Sequence, residues 1–452
     1  MVPIFARYLP PASYGKVAMA QVLIALLQPL ASFGLENAIA QSGTLFTTDA
    51  RRGAIRAIML VWSLSSATLF SFAIAMFFFG SGSLGGFTLT SEWALIIVAT
   101  CTAIWNSGGQ VLLVSTGLSK RHTVYSLIYS GLFVFGVLCF VVDLKLDFTG
   151  WLLAIIFSSG LCSLMQLWDM MRASARPIDW RAIPKALYFG LPLIPHSYAL
   201  WALNSADRWV IASRGSQEAL GIYFIGLQIA MIVGVITNAL NLAFYPLANR
   251  ILTSQDVIHD QTLIGPLGTG VVCASFYAAL VVACSAPLVI RLGLPINYYE
   301  SANVLPWLAL AFAFQGVYFV ASRGIWVSGK SYWVTVGTVA SGALGAIVTF
   351  WTLPGLGIVG AGLGSVIANA SLATLSGLIA HSLFPIPWPY KKWVKAGLLA
   401  VICYLVVSGL VRNESLWIAT TGLLTAAVLF PLLLQLTGVL RLKEVYSVLS
   451  LS

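Results

Sequence analysis

Residues 219–248 read ALGIYFIGLQIAMIVGVITNALNLAFYPLA, thirty positions without one Asp, Glu, Lys or Arg. As a helix rising about 1.5 Å per residue, this stretch outreaches the roughly 30 Å hydrocarbon core of a bilayer. A soluble helix of such length would need a charged face to meet water. The stretch therefore reads as a tilted membrane span. Apolar runs of similar character recur on both sides of it, at 17–38, 54–79, 92–117, 122–142, 150–171, 184–212, 262–290, 301–328, 331–352, 357–384, 393–411 and 415–438. With the first stretch that makes thirteen spans. The opening Met1–Leu9 is apolar but too short to cross, and reads as the tail of a longer first helix that is mostly missing. No cleavable signal peptide is recognisable.

Composition agrees with a single membrane body. The 452 residues are 59% hydrophobic and 8% charged, against about 25% charged for a soluble domain. Mean hydropathy is +0.92. The net charge of +10 comes from 24 Lys and Arg against 14 acids. Those cations are scattered between apolar runs rather than clustered on a water-facing surface, so nucleic acid is not an expected partner. One set of alternate loops carries sixteen Lys or Arg and the other seven. The richer side should be cytoplasmic, which puts the C-terminus inside.

Several motif readings are excluded. Gly324–Ser331 matches the phosphate-loop pattern G-x-x-x-x-G-K-[ST] letter for letter, but that motif needs a strand before it and an α/β unit around it. Here it joins two membrane spans, and a short turn with a positive-inside Lys330 is the expectation. The six cysteines lie in apolar stretches without a C-x-x-C pair, so neither zinc nor redox chemistry is indicated. No metal-ligating set, nucleophile motif or paired-carboxylate constellation is apparent, and the outside loops are too short to carry a catalytic site. Catalysis is not expected, and no cofactor is called for.

The chain also carries a weak duplication. The same offset separates Gln21 from Gln228 and Gly150 from Gly357, each at a corresponding place in its span. Equal spacing in the same order fits two six-helix lobes in parallel repeat. The expected domains are an N-lobe at 1–171, a C-lobe at 184–384 and two extra C-terminal helices at 393–438. Buried polar groups concentrate in the first two. The fold class is therefore all-α and polytopic, with two six-helix lobes around a central polar-lined cavity.

A polar side chain at membrane depth is costly and tends to face a cavity or a partner. Span 184–212 holds His196, Asn204, Asp207 and Arg208, and the first three share a helical face. Span 219–248 holds Gln228, Asn238 and Asn241; span 17–38 holds Gln21, Gln28, Glu36 and Asn37; span 301–328 holds Gln315 and Arg323. Amides of this kind also glue helices together, and Arg323 has the alternative of snorkelling to the surface. Asp207, Glu36 and His196 are candidates for a proton relay, since ionisable groups at depth are typical relay members.

Three segments carry a family resemblance. Ala6-Arg7-Tyr8-Leu9-Pro10-Pro11-Ala12-Ser13-Tyr14-Gly15 resembles the A-R-x-L-x-P-x-x-Y-G turn that ends the first helix of bacterial O-antigen-type oligosaccharide flippases. Asp207–Ile211 followed by Leu220-Gly221-Ile222-Tyr223 is similar to the signature opening that family's second half, and Gly357–Leu363 to the start of its twelfth helix. The resemblance implies the multidrug, oligosaccharidyl-lipid and polysaccharide exporter superfamily. It implies an inner-membrane flippase that moves an undecaprenyl-pyrophosphate-linked oligosaccharide to the outer leaflet by alternating access. Cavity cations would then attract the pyrophosphate, with Arg7, Arg208, Arg250 and Arg323 as candidates and Arg56 a weaker one. Asn204, Asn238, Asn241, Gln28 and Trp201 would meet the sugars, as would Tyr245. Expected partners are the lipid-linked oligosaccharide, membrane lipids and other polysaccharide assembly proteins. The rival readings are a drug or metabolite exporter of the same superfamily and a membrane polysaccharide polymerase or ligase.

Overall fold

A computed structural model describes residues 2–42, 48–79, 83–84, 87–88, 91–173, 177–253, 257–410 and 416–440. Among them, eleven helices are long and apolar enough to cross a membrane. The protein is an all-α polytopic membrane protein, as its apolar runs require: in hydrocarbon every backbone N–H and C=O must be paired within its own segment. The one β feature among the described residues is a two-residue-per-strand hairpin, Ser83–Leu84 against Phe87–Thr88, in a loop.

By internal contacts the chain divides into two units, residues 3–201 and 202–452. The first opens with α1 (Val2–Tyr8) and α2 (Pro11–Ala31). Pro10 caps α2 and Pro11 takes its first position, where a missing N–H costs nothing. Leu9 and Tyr14 are buried on either side of that break, and the Tyr14 ring packs 6.1 Å from Phe5. Here α2 starts six residues before the expected span and ends earlier, at Ala31. Phe33 and Gly34 then turn left-handed, at φ 53 and 66, into a separate short helix, α3 (Leu35–Ala40). Gly34 has to be glycine for two reasons. Its φ suits no L side chain well, and its backbone lies against that of Gly190, so that a Cβ on Gly34 would come 2.9 Å from the Gly190 carbonyl carbon.

The unit continues with α4 (Thr48–Phe79), α5 (Glu92–Ser115), α6 (Ser119–Val137, prolonged by a π-helical turn to Asp143) and α7 (Asp147–Ala173). Helix α7 packs on α5 and α6, and α2 on α5. Trp62 is fully buried among Leu35, Ile39, Ile58, Leu112 and Ala186, and its Nε1 donates to the Ser32 carbonyl at 3.1 Å. A buried indole is stable there because its one donor is satisfied.

The expected single span at 184–212 is broken. Helix α8 (Ala182–Gly190) passes through a 3-10 turn, Leu191–Leu193, into α9 (Ile194–Arg214). Pro192 and Pro195 remove two backbone donors, which accounts for the break. The unit boundary falls within α9.

The second unit holds the rest of α9 and then α10 (Gln217–Thr253), α11 (Val257–Gly293), α12 (Ser301–Ala321), α13 (Arg323–Val327), α14 (Tyr332–Leu356), α15 (Ile358–Leu383), α16 (Tyr390–Leu410) and α17 (Leu416–Leu436). Helix α15 packs between α12 and α14, while α16 and α17 pack on α11. Small residues make the α14–α15 approach possible: a Cβ on Gly345 would sit 2.6 Å from that of Ala368. In lipid, such close approach supplies the packing that a hydrophobic drive cannot. Gly357, at φ 56 and ψ −140, turns the chain between the two helices in a conformation reserved for glycine. The phosphate-loop match runs from α13 into the turn before α14, preceded by helix α12 rather than a strand.

Candidate functional site

Three polar clusters among the described residues contain candidates that the sequence singled out. In the first unit, the Glu36 carboxylate accepts from Ser107 Oγ at 2.8 Å and from Gln28 Nε2 at 3.2 Å. Gln28 Nε2 also donates to Ser107 Oγ at 3.1 Å. The break between α2 and α3 is what brings Glu36 back toward α5. Among the described residues no Lys or Arg forms an ion pair with it. A half-buried carboxylate held only by neutral donors can take up and release a proton without breaking a salt bridge.

The second cluster is in the other unit. Asp207 Oδ2 accepts from the Tyr223 hydroxyl and from Ser365 Oγ, the latter at 3.2 Å. Its Oδ1 accepts the Arg208 backbone N–H at 2.7 Å and lies 3.8 Å from Arg208 Nε. Both side chains are 12% exposed. The Arg208 guanidinium turns back along its own helix, to the Asn204 carbonyl and to Ser205 Oγ at 3.2 Å. Three helices, α9, α10 and α15, thus meet at one carboxylate.

The third cluster is built around Arg323, 2% exposed at the junction of α12 and α13. Nε donates to the Phe319 carbonyl at 2.9 Å and Nη2 to Asn241 Oδ1 at 2.6 Å. The guanidinium lies 4.4 Å from the Tyr245 ring centroid and 5.7 Å from that of Phe244. Nη1 is buried without a hydrogen-bond partner, as is Ser322 Oγ beside it. Among the described residues no carboxylate pairs with Arg323. The snorkelling alternative fails because the head group is enclosed. Aromatic faces and one amide oxygen offset part of the charge, but an uncompensated cation in this setting favours an anion.

Arg7 ends α1 and Arg250 lies in the last turn of α10, both exposed, where each cation complements its helix dipole. Asn238 is exposed and donates to the Gly234 carbonyl of its own helix at 2.8 Å. Asn204 is exposed, His196 is half-buried, and Trp201 Nε1 donates to the Val22 carbonyl at 3.0 Å. Three pairs are brought together: Gln28 with Glu36, Asn241 with Arg323, and Asp207 with Arg208. Sequence reasoning missed Ser107, Tyr223 as a carboxylate partner, and Ser365. A hydroxyl on a membrane helix usually bonds its own backbone, so nothing in the sequence singled these out.

The A-R-x-L-x-P-x-x-Y-G turn is itself fastened at one end of the first unit. Ser13 Oγ donates to Asp147 Oδ2 at 2.7 Å. Lys16 Nζ pairs with Glu92 Oε1 at 2.8 Å and lies 5.9 Å from the Phe148 ring.

Comparison with known proteins gives the family and the fold. Over 75 residues the chain is 35% identical to "Lsg locus putative protein 1" of Haemophilus influenzae, covering 17% of this chain and 19% of that protein. In fold it is similar to the structure titled "Lipid II flippase MurJ, inward closed conformation", with a TM-score of 0.70 and 12% identity over 96% of this chain and 95% of that one. It is also similar to an inward-facing multidrug resistance MATE family transporter of the MOP superfamily, with a TM-score of 0.60 and 17% identity over 84% of this chain and 92% of that one. The model of the family described as "Polysaccharide biosynthesis protein" matches residues 4–263, more than half of the chain, and the chain belongs to that family.

Proposed function

We propose that this protein is a flippase for a polyprenyl-pyrophosphate-linked oligosaccharide, working by alternating access in the inner membrane with its C-terminus cytoplasmic. The observation that carries the reading is Arg323, a buried guanidinium with an unsatisfied Nη1 and no acidic partner among the described residues. A cation so placed is poorly stabilised at rest and gains when a phosphate arrives. The family membership and the fold shared with a lipid II flippase support a lipid-linked anion over a free one.

In this reading Arg323 engages the pyrophosphate, with Arg7, Arg208 and Arg250 guiding its entry and exit. Asn204, Asn238, Asn241, Gln28 and Trp201 meet the sugars. Glu36, Asp207 and His196 carry the coupling proton. Glu36 suits that role because a neutral hydroxyl and an amide hold it, and Asp207 because its protonation would also change the pull on the paired Arg208. The two lobes and the C-terminal helix pair are the moving parts.

The test is the sidedness of the lipid-linked oligosaccharide in cells lacking the protein, read with a probe that cannot cross the inner membrane. Accumulation on the cytoplasmic face, relieved by the gene but not by Arg323→Ala, is the expected result. Normal outer-face exposure in a strain without a redundant flippase overturns the proposal.

A further inference from the structure

The stretch that matches the phosphate-loop pattern ends on Lys330, in a turn where Gly329 is left-handed at φ 72. Two residues later the span Tyr332–Leu356 begins. The next span, Ile358–Leu383, returns to the same end, and the one after it starts there at Tyr390, with Lys391 beside it. Helix α13 packs on the end of α15, where a Cβ on Gly324 would lie 2.7 Å from the Phe384 carbonyl oxygen. The Tyr390 hydroxyl lies 4.0 Å from where a Cβ on Gly377 would stand, in the same helix. The turn at Lys330 and the start of α16 therefore border one helix end of the second unit.

The helices that build this face, from Ser301 to Asn413, hold no Asp or Glu. Lys330 and Lys391 are exposed, and among the described residues neither enters an ion pair. Three exposed aromatic rings accompany them, Trp326, Tyr332 and Tyr390. Two of the rings are fixed from behind. Tyr332 lies 5.3 Å from Trp333. Tyr390 lies 5.2 Å from the buried Trp393, whose Nε1 donates to Thr269 Oγ1 at 3.2 Å. Aromatic rings and cations at span ends are the side chains that meet lipid head groups. A nucleotide would need a strand feeding the turn, and here α12 and α13 precede it.

We propose that this face binds the head groups of anionic phospholipids in the surrounding membrane, with Lys330 and Lys391 on the phosphates and Trp326, Tyr332 and Tyr390 seated at head-group level. The rings contact any phospholipid, so they contribute anchoring and little selectivity. Selectivity comes from the two lysines. A head group with net negative charge gains from both, whereas a zwitterionic one brings its own cation close to them. With no acid on these helices, nothing within them offsets that preference. Arg323 shares α13 with Trp326 but is enclosed, and takes no part. The face stands without the transport reading.

The full-length protein is reconstituted in phosphatidylcholine vesicles containing a small fraction of phosphatidylglycerol or phosphatidylcholine that carries a photoactivatable group next to the glycerol, and labelled peptides are mapped. Peptides holding Trp326–Tyr332 and Trp388–Lys391 should be labelled more strongly from phosphatidylglycerol, each lysine contributing a factor of about five. Lys330→Gln or Lys391→Gln alone should cut the preference by about that factor, and the double substitution should bring the two lipids to parity. Lys330→Arg with Lys391→Arg should keep the preference, since charge is conserved. Both lysines are exposed, so melting temperatures should not move. Equal labelling of the unsubstituted protein by the two lipids, or an unchanged preference in the double Gln variant, overturns the proposal. So does protection of these peptides by ATP but not by added phosphatidylglycerol, which would give the turn to a nucleotide. Absence of labelling by either lipid also overturns it, and would leave the face to a soluble acidic partner.

Discussion

Arg323 Nη2 donates to Asn241 Oδ1 at 2.6 Å, joining the end of α12 to α10 across 82 positions of sequence. Arg323 has no acidic partner among the described residues, so Asn241 supplies the one side-chain oxygen it bonds. Stability and function should therefore diverge at this site. Arg323→Met keeps the length of the side chain and removes a buried charge, which should raise thermal stability by on the order of 1 kcal/mol or more. The same change should reduce oligosaccharide translocation roughly 10- to 150-fold, the worth of about 1.5–3 kcal/mol for a hydrogen bond to a charged group. Melting in detergent and the sidedness assay read the two effects. A fall in both quantities together would make Arg323 a structural pin.

Asn241→Leu should act in the opposite sense on stability. It strands a second nitrogen of a buried guanidinium, at a cost of about 1–3 kcal/mol. Combining it with Arg323→Met should recover most of that loss, because no buried donor then remains to satisfy. The double-mutant cycle gives the coupling directly. Additive effects would show that the contact does little.

Asp207→Asn keeps an acceptor for Tyr223 and Ser365 while removing the charge. The variant should fold, and its transport should lose dependence on an imposed proton gradient. Tyr223→Phe leaves the carboxylate with Ser365 and the Arg208 backbone N–H, so gradient dependence should persist. Transport by reconstituted protein, with and without a gradient, separates the two. Gradient-driven transport by Asp207→Asn would remove Asp207 from the relay.

Glu36→Gln and Glu36→Leu should likewise part company. Gln can still accept from Gln28 and Ser107, so folding is preserved while coupling is lost. Leu leaves Gln28 Nε2 one acceptor short and costs about 1–3 kcal/mol. Ser107 is spared, since its hydroxyl also reaches the Ile104 carbonyl at 3.1 Å. Thermal melting ranks the variants, and a gradient assay on Glu36→Gln tests the relay.

Gly34→Ala should be far more damaging than Gly117→Ala. Both glycines are left-handed, at φ 66 and 75, so each substitution carries about 1–2 kcal/mol of backbone strain. Gly117 has open space where a Cβ would go, whereas Gly34 is pressed against Gly190. The difference in melting temperature reports the α3–α8 contact alone. Equal shifts would mean that the backbone contact gives way at little cost.

The sequence by itself determined that this is a helical membrane protein, and where nearly every helix lies. A charge-free run longer than the hydrocarbon core has one way to satisfy its backbone, and that constraint acts within each segment, with no knowledge of its neighbours. Helical period also places Asp207 relative to His196 and Asn204 on one face, because it depends only on spacing within a helix. What period does not give is the partner across the gap. Asp207 meeting Tyr223 and Ser365, Arg323 meeting Asn241, and Glu36 folding back to Ser107 follow from how helices far apart in sequence pack. The left-handed turn at Gly34 was likewise decided in three dimensions. Glycine permits such a turn, but close packing against the Gly190 backbone selects the one adopted.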